Sequence, residues 1–117
     1  MLILPFDLAR QQFQGKKFTN IGTGREIIVS KDGLGEWKSK SKSREQVLSI
    51  KILDKLLENG VFDHDAEDKY HRKNIEKVSY FHSSCEISGA RYNAIITVMK
   101  IKNYGDKYYH HYLEEKK

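Results

Sequence analysis

The sequence predicts an α+β domain in which N-terminal helices pack on a four- to five-stranded antiparallel sheet. Three observations predict it: a capped apolar helix over residues 43–59, a last third dominated by β-prone runs, and a Ser88-Gly89 link of hairpin type between two of those runs. The 117 residues suffice for one core, so residues 1–117 are read as a single domain. A 38% hydrophobic and 32% charged composition excludes a disordered chain.

Proline at position 5 and glycine at position 15 bracket a short helix with Leu8 and Phe13 toward one side. The segments "KKFTN" and "REIIVS" are β-prone, and the Gly22 and Gly24 between them are expected to supply positive φ to a hairpin turn. A phosphate-cradling loop is the other reading of "GTGR", but it lacks the Gly-Lys-Ser/Thr ending of that motif. "KDGLGEWKSKSKS" has the glycine, lysine and serine content of an exposed, mobile loop.

From Ser43 to Asn59 the pattern is helical, opened by a Ser-x-x-Gln capping box and closed by Gly60 as a left-handed cap. Lys51, Asp54, Lys55 and Glu58 form one narrow polar stripe, so the remaining faces must be covered. "FDHDAEDKYHRKN" reads as a charged surface loop. "EKVSYFHSSCEI" and "ARYNAIITVMKI" then form a hairpin across Ser88-Gly89, and "NYGD" turns the chain into a further strand, "KYYHHYLEE". Pairing Ile87 with Ala90 sets Cys85 opposite Tyr92, Ser83 opposite Ala94 and Phe81 opposite Ile96, one small or apolar face throughout.

That register sends His82, Ser84, Glu86, Arg91, Asn93 and Thr97 to the opposite face, with Glu86 across from Arg91. A carboxylate, an arginine and a histidine are what RNA phosphodiester cleavage needs: Glu86 as base, Arg91 as phosphate clamp, and His82 or His110 as acid. The plainer reading is a solvated face with an ordinary cross-strand ion pair. Strict alternation in "YYHHY" sends Tyr109, His111 and Leu113 to the core and places Tyr108 and Tyr112 beside His110, where they could stack on bases. Lys38, Lys40, Lys42 and Arg44 are candidate contacts to a nucleic-acid backbone, or a solvated linker.

Twenty-one basic against 16 acidic residues give a net charge of +5, which favours anionic partners. The lone Cys85 fits a reducing compartment, and its burial opposite Tyr92 argues against a nucleophile. His82-x-x-Cys85 alternates across the strand, so neither a metal nor any other cofactor is expected. No apolar run of membrane-spanning length occurs and "MLILPF" is too short for a signal core, so a cytoplasmic protein without membrane contact is expected.

The series "FTNIGTGREIIVSKDGLGE", "KILDKLLENG", "NIEKVSYFHSSCEISGARYNAIITVMK" and "GDKYYHHYL" resembles a small domain of phage and mobile-element large polyvalent proteins, grouped with barnase, EndoU, colicin and RelE-like nucleases. The resemblance spans Phe18 to Leu113 and is most specific at Asn20, Thr23-Gly24 and Gly89-x-x-Tyr92. It implies a barnase-like fold and metal-independent RNA cleavage on the open sheet face, by groups similar in kind to Glu86, Arg91 and His82 or His110. A toxin paired with an immunity protein belongs to the same expectation. The rival expectation is a non-catalytic protein whose basic surface blocks a host protein, such as a nucleic-acid-guided defence complex.

Overall fold

Six strands form a single sheet in the order β1-β2-β6-β5-β4-β3. The computed structural model describes residues 5–40 and 43–115. The strands are β1 (Lys17–Thr19), β2 (Glu26–Ile28), β3 (Val61–Ala66), β4 (Ile75–Ile87), β5 (Ala90–Ile101) and β6 (Gly105–Glu115). Helices α1 (Pro5–Phe13), α2 (Lys31–Lys40), α3 (Arg44–Leu48) and α4 (Leu53–Asn59) accompany them, with a 3-10 turn at Ser49–Ile52 between the last two. The architecture is α+β as expected, but the sheet is larger and mixed: β2 lies parallel to β6, Ile27 beside Asp106 and Ile28 beside Lys107. A parallel pair requires a long crossover, and everything from α2 to β5 supplies it.

The long hairpin follows the sequence register residue for residue: Ile87 with Ala90, Cys85 with Tyr92, Ser83 with Ala94, Phe81 with Ile96. Its turn residues Ser88 and Gly89 both take positive φ (52° and 82°), the two-residue geometry whose twist matches the strands. Phe81, Ala94 and Ile96 are buried with Ile50, Leu53, Leu56 and Leu57 of the helical segment, while Cys85 sits half-buried at the margin of this core. The apolar positions read from the Ser43–Asn59 pattern therefore do cover the sheet.

Several local elements differ from those the sequence predicts. "KDGLGEWKSK" is not a loop but α2, capped by the Ser30 hydroxyl, which accepts from the Gly33 amide at 3.1 Å. Leu34 and Trp37, one helical turn apart, are buried and hold it in place, so packing overrides the poor helix propensity of two glycines. "FDHDA" is not a loop but most of β3, paired with β4. The Ser43–Asn59 helix is interrupted by its 3-10 turn. Although Ser43 caps Gln46 as expected, the Gln46 side chain does not return to the cap. It donates to the His111 carbonyl and accepts from the Leu113 amide at 2.9 Å, pairing with the outer edge of β6 as a strand would.

Gly60 is not left-handed (φ −60°). It is needed for closeness instead, since an added Cβ would lie 2.9 Å from the Leu56 carbonyl oxygen and 3.4 Å from both Ile96 and Phe81. The carbonyls at the end of α4 are met by Asn20, whose Nδ2 donates to Leu57 O (2.8 Å) and Gly60 O (2.7 Å). Asn20 Oδ1 accepts from the Thr23 amide and hydroxyl, and Gly24 takes a φ of 73°. Gly22 does not take positive φ, contrary to expectation. The "NIGTG" loop is thus a hairpin turn buttoned to a helix end, with its polar groups used internally.

Arg25, just before β2, donates to Asp106 at 3.0 and 2.6 Å and to the Ser79 hydroxyl on β4 at 3.1 Å. Two strands separate β2 from β4 in the sheet order, so one side chain spans this distance only because the sheet curls into a half-barrel around the core.

Candidate functional site

The face of the sheet turned away from α3 and α4 is read most easily as rows of residues directly opposite one another. Tyr80, Thr97 and His110 form one row, and His82, Ile95 and Tyr112 the next; Ser84, Asn93 and Glu114 follow, and Glu86 and Arg91 close the series at the hairpin tip. Successive rows are about 7 Å apart along the strands. Glu86 and Arg91 therefore stand roughly 20 Å from His110 and roughly 13 Å from His82. Both are exposed, and among the described residues no ion pair within 4.0 Å joins them.

What the rows do bring together is aromatic. A bulge in β6 leaves Tyr109 without a partner, because Thr97 pairs with His110 and Val98 already with Tyr108. Alternation is broken there, which corrects two placements: Tyr108 is fully buried in the core, and Tyr109 joins His110 on the open face. Tyr112 remains on that face, 45% exposed. Tyr109 and His110 lie with ring centroids 5.1 Å apart, His110 and Tyr112 6.4 Å, and at the far margin His64 of β3 stacks on Tyr80 at 4.9 Å.

Three cavities follow this file and share walls. One of 310 Å³ is lined by Tyr80, Thr97, Met99, Tyr109, His110 and Tyr112, with Lys40 and the β3–β4 loop above. A second, of 490 Å³, shares Tyr80 and Tyr112 and continues to His64, His82, Asn93 and Ile95. A third, of 640 Å³, shares Arg72, Met99 and Tyr109 and runs beneath α2 to Phe6 and Ile101. Together they make one trough crossing β4, β5 and β6.

The lysine run does not act as a unit. On α2, Lys38 packs over the Phe6 ring (4.5 Å) and Lys40 over the Tyr109 ring (4.8 Å), because residues two apart on a helix diverge by about 200°. Lys40 also pairs with Glu36 at 3.3 Å. Arg44 is exposed on α3, and Lys42 lies outside the described residues. A more coherent basic patch lies in the second half of the segment whose composition predicts a charged loop: Lys69, Arg72 and Lys73 in the β3–β4 connection, beside Lys102 in the β5–β6 turn. The Lys102 amide donates to the Asn74 carbonyl at 2.9 Å, which fixes the two loops side by side. Tyr70 and Tyr104 project there, 66% and 63% exposed. Alternating cationic and aromatic residues in "KYHRK" are the signal that could have found it. Arg72 is anchored by Asp68, whose carboxyl it holds well below the usual range through hydrogen bonds of 2.8 and 3.0 Å.

The two adjacent histidines have opposite fates. His111 is buried and satisfied: Ser49 donates to the Gln46 carbonyl, so its oxygen accepts from His111 Nε2 (2.6 Å), leaving Nδ1 to accept from the Tyr108 hydroxyl (2.7 Å). Burial first, and then the neighbouring His110, push its pKa down to about 3. His110 is brought down to about 4 by burial and by Lys40. A histidine held neutral at pH 7 is poorly suited to the role of general acid.

Among the described residues, no three His, Cys, Asp or Glu side chains are placed to hold a metal ion, and no helix is long and apolar enough to cross a membrane.

By architecture this is a small α+β domain with helices closing one face of a curled mixed sheet and an aromatic trough on the other. The chain belongs to the family described as large polyvalent protein-associated domain 3, whose model matches residues 6–109. No curated protein and no solved structure matches it.

Proposed function

We propose that the protein binds single-stranded RNA along the open face of its sheet, with bases in the trough and the backbone at the basic tip formed by Lys69, Arg72, Lys73 and Lys102. The observation that carries this reading is the continuity of the aromatic trough. Tyr80, Tyr112, His110 and Tyr109 line connected cavities, and unpaired bases gain about 1–3 kcal/mol each from stacking on such rings. The trough's lining carries as many acids as bases only when Lys69 and Arg72 of the tip are counted with it, so attraction for phosphates is assigned to the tip, where exposed cations are in excess.

A relation to barnase-like nucleases, with cleavage by Glu86, Arg91 and a histidine, is the weaker reading. A general acid and a general base must both reach one phosphodiester, and the spread of these residues over several rows favours binding instead. The test is fluorescence anisotropy with labelled single-stranded RNA in EDTA, with the labelled strand run on a gel afterwards. Tyr80→Ala and Tyr112→Ala should each weaken binding by about 1–3 kcal/mol, with Glu86→Ala unchanged and the RNA intact. Cleavage lost in Glu86→Ala would reinstate the nuclease. Absence of any binding would end both readings and turn the search to a host protein on the same face.

A further inference from the structure

Tyr80, His110 and Tyr112 line the two smaller cavities, and none of them lines the largest, of 640 Å³. The floor of this chamber is apolar, formed by Ile75 of β4, Met99 and Ile101 of β5 and Phe6 of α1. Its other wall is the face of α2 that carries Asp32, Gly35, Glu36 and Ser39, three and four residues apart. Leu34 and Trp37 of the same helix go to the core instead.

Gly35 stands out in this wall. A glycine inside a helix weakens it relative to alanine, and the usual structural demands for glycine are absent here: its φ is not positive, and a Cβ built on it meets nothing within 4 Å. What the missing side chain leaves is open space in the chamber. Charge indicates the kind of occupant. Asp32 pairs with Lys107 (3.6 Å), Glu36 with Lys40 (3.3 Å) and Arg72 with Asp68 (2.8 Å), so of the charged lining only Lys31 stands outside such pairs among the described residues. A chamber so neutralised, apolar on one wall and polar on the other, suits an uncharged heteroaromatic ring better than a phosphate. We infer that it is a further nucleobase pocket, which Gly35 keeps open. The inference rests on the RNA-binding reading above: the chamber joins the trough through Arg72, Met99 and Tyr109, so its occupant is the next base of the same strand.

The experiment titrates isoleucine-methyl-labelled protein with single-stranded RNA in EDTA, following the methyls by NMR, and repeats the anisotropy measurement on Gly35→Leu. A base in the chamber shifts the methyl resonances of Ile75 and Ile101, whereas Ile95 lines the 490 Å³ cavity and reports on that one. All three should move in the wild type. Gly35→Leu puts a helix-favouring side chain into the open space, so it should melt no lower than the wild type yet bind RNA roughly ten-fold more weakly, the contribution of one base. Movement of Ile95 with Ile75 and Ile101 unmoved would overturn the inference and leave the binding reading standing, and that result needs no variant. Undiminished affinity in Gly35→Leu would overturn it too. Absence of any shift or anisotropy change in the wild type would overturn the RNA-binding reading itself.

Discussion

Gly33 of α2 lies against the backbone of Tyr108 so closely that a Cβ built on it would stand 2.2 Å from the Tyr108 carbonyl oxygen. The obstacle is backbone, which cannot swing aside. Gly33→Ala must push α2 off β6, at a cost of about 1–3 kcal/mol or more. A thermal melt checks this, and Gly35→Ala, with nothing within 4 Å of its added Cβ, serves as the comparison and should be neutral or stabilising.

The Gln46 carboxamide occupies the place of a neighbouring strand beside His111 and Leu113. Gln46→Leu keeps the bulk but leaves the His111 carbonyl and Leu113 amide unmatched at a buried position. A loss of about 2 kcal/mol is expected. Hydrogen exchange should show the Leu113 amide opening faster while amides at the β4–β5 pairing keep their protection.

The pH dependence follows from His111. In the fold its pKa is near 3, and in the unfolded chain near 6.5. Between these values the unfolded chain binds more protons, so stability is complete above about pH 6.5 and is lost progressively as pH falls toward 3. Melting temperature should decline between pH 7 and 5, a range above the titration of ordinary carboxylates. His111→Gln should melt lower at pH 7 yet with a shallower slope, His110 accounting for what remains.

Arg25 and Asp106 hold the first hairpin to β6 and, through Ser79, to β4. Asp106→Asn removes the charge that the guanidinium was placed to meet, at a site where the two side chains are 21% and 13% exposed. About 2 kcal/mol of stability should be lost, a deficit that added salt changes little because the pair is only partly reached by solvent.

If the basic tip carries the backbone, Lys69→Ala, Lys73→Ala and Lys102→Ala should act on salt dependence rather than on base preference. Each phosphate contact removed lowers the slope of log affinity against log salt by about 0.7 for a single strand. Lys38→Ala, whose ammonium sits over Phe6, should leave that slope alone.

The long hairpin was legible because a two-residue turn leaves no freedom: once Ser88 and Gly89 were placed, every partner from Ile87 to Phe81 followed. The helix α2 was not, since its glycines look like loop residues until Tyr108 is seen beside Gly33. The inward position of Tyr108 is hidden too, because nothing in "KYYHHYL" announces that one tyrosine is surplus to the pairing. Of the candidate site, His82, His110 and Tyr112 were readable on the open face, whereas the place of Lys40 over the Tyr109 ring was not, since its segment has the composition of a loop. Tyr80 and Tyr109 were not, because their role arises from strands and loops far apart in sequence.

That surplus residue also bears on how this strand could change length over evolutionary time. Upstream of Tyr109, Asp106 and Lys107 are committed to β2; downstream, His111 and Leu113 are committed to Gln46. Losing one residue elsewhere in this stretch would exchange inward and outward side chains on one side of the gap. Losing Tyr109 would only straighten the ladder, with Tyr108 and His111 still inward and His110 and Tyr112 still outward. Descendants of this chain can therefore shorten or restore β6 at that point, gaining or giving up a ring in the trough without refolding the core.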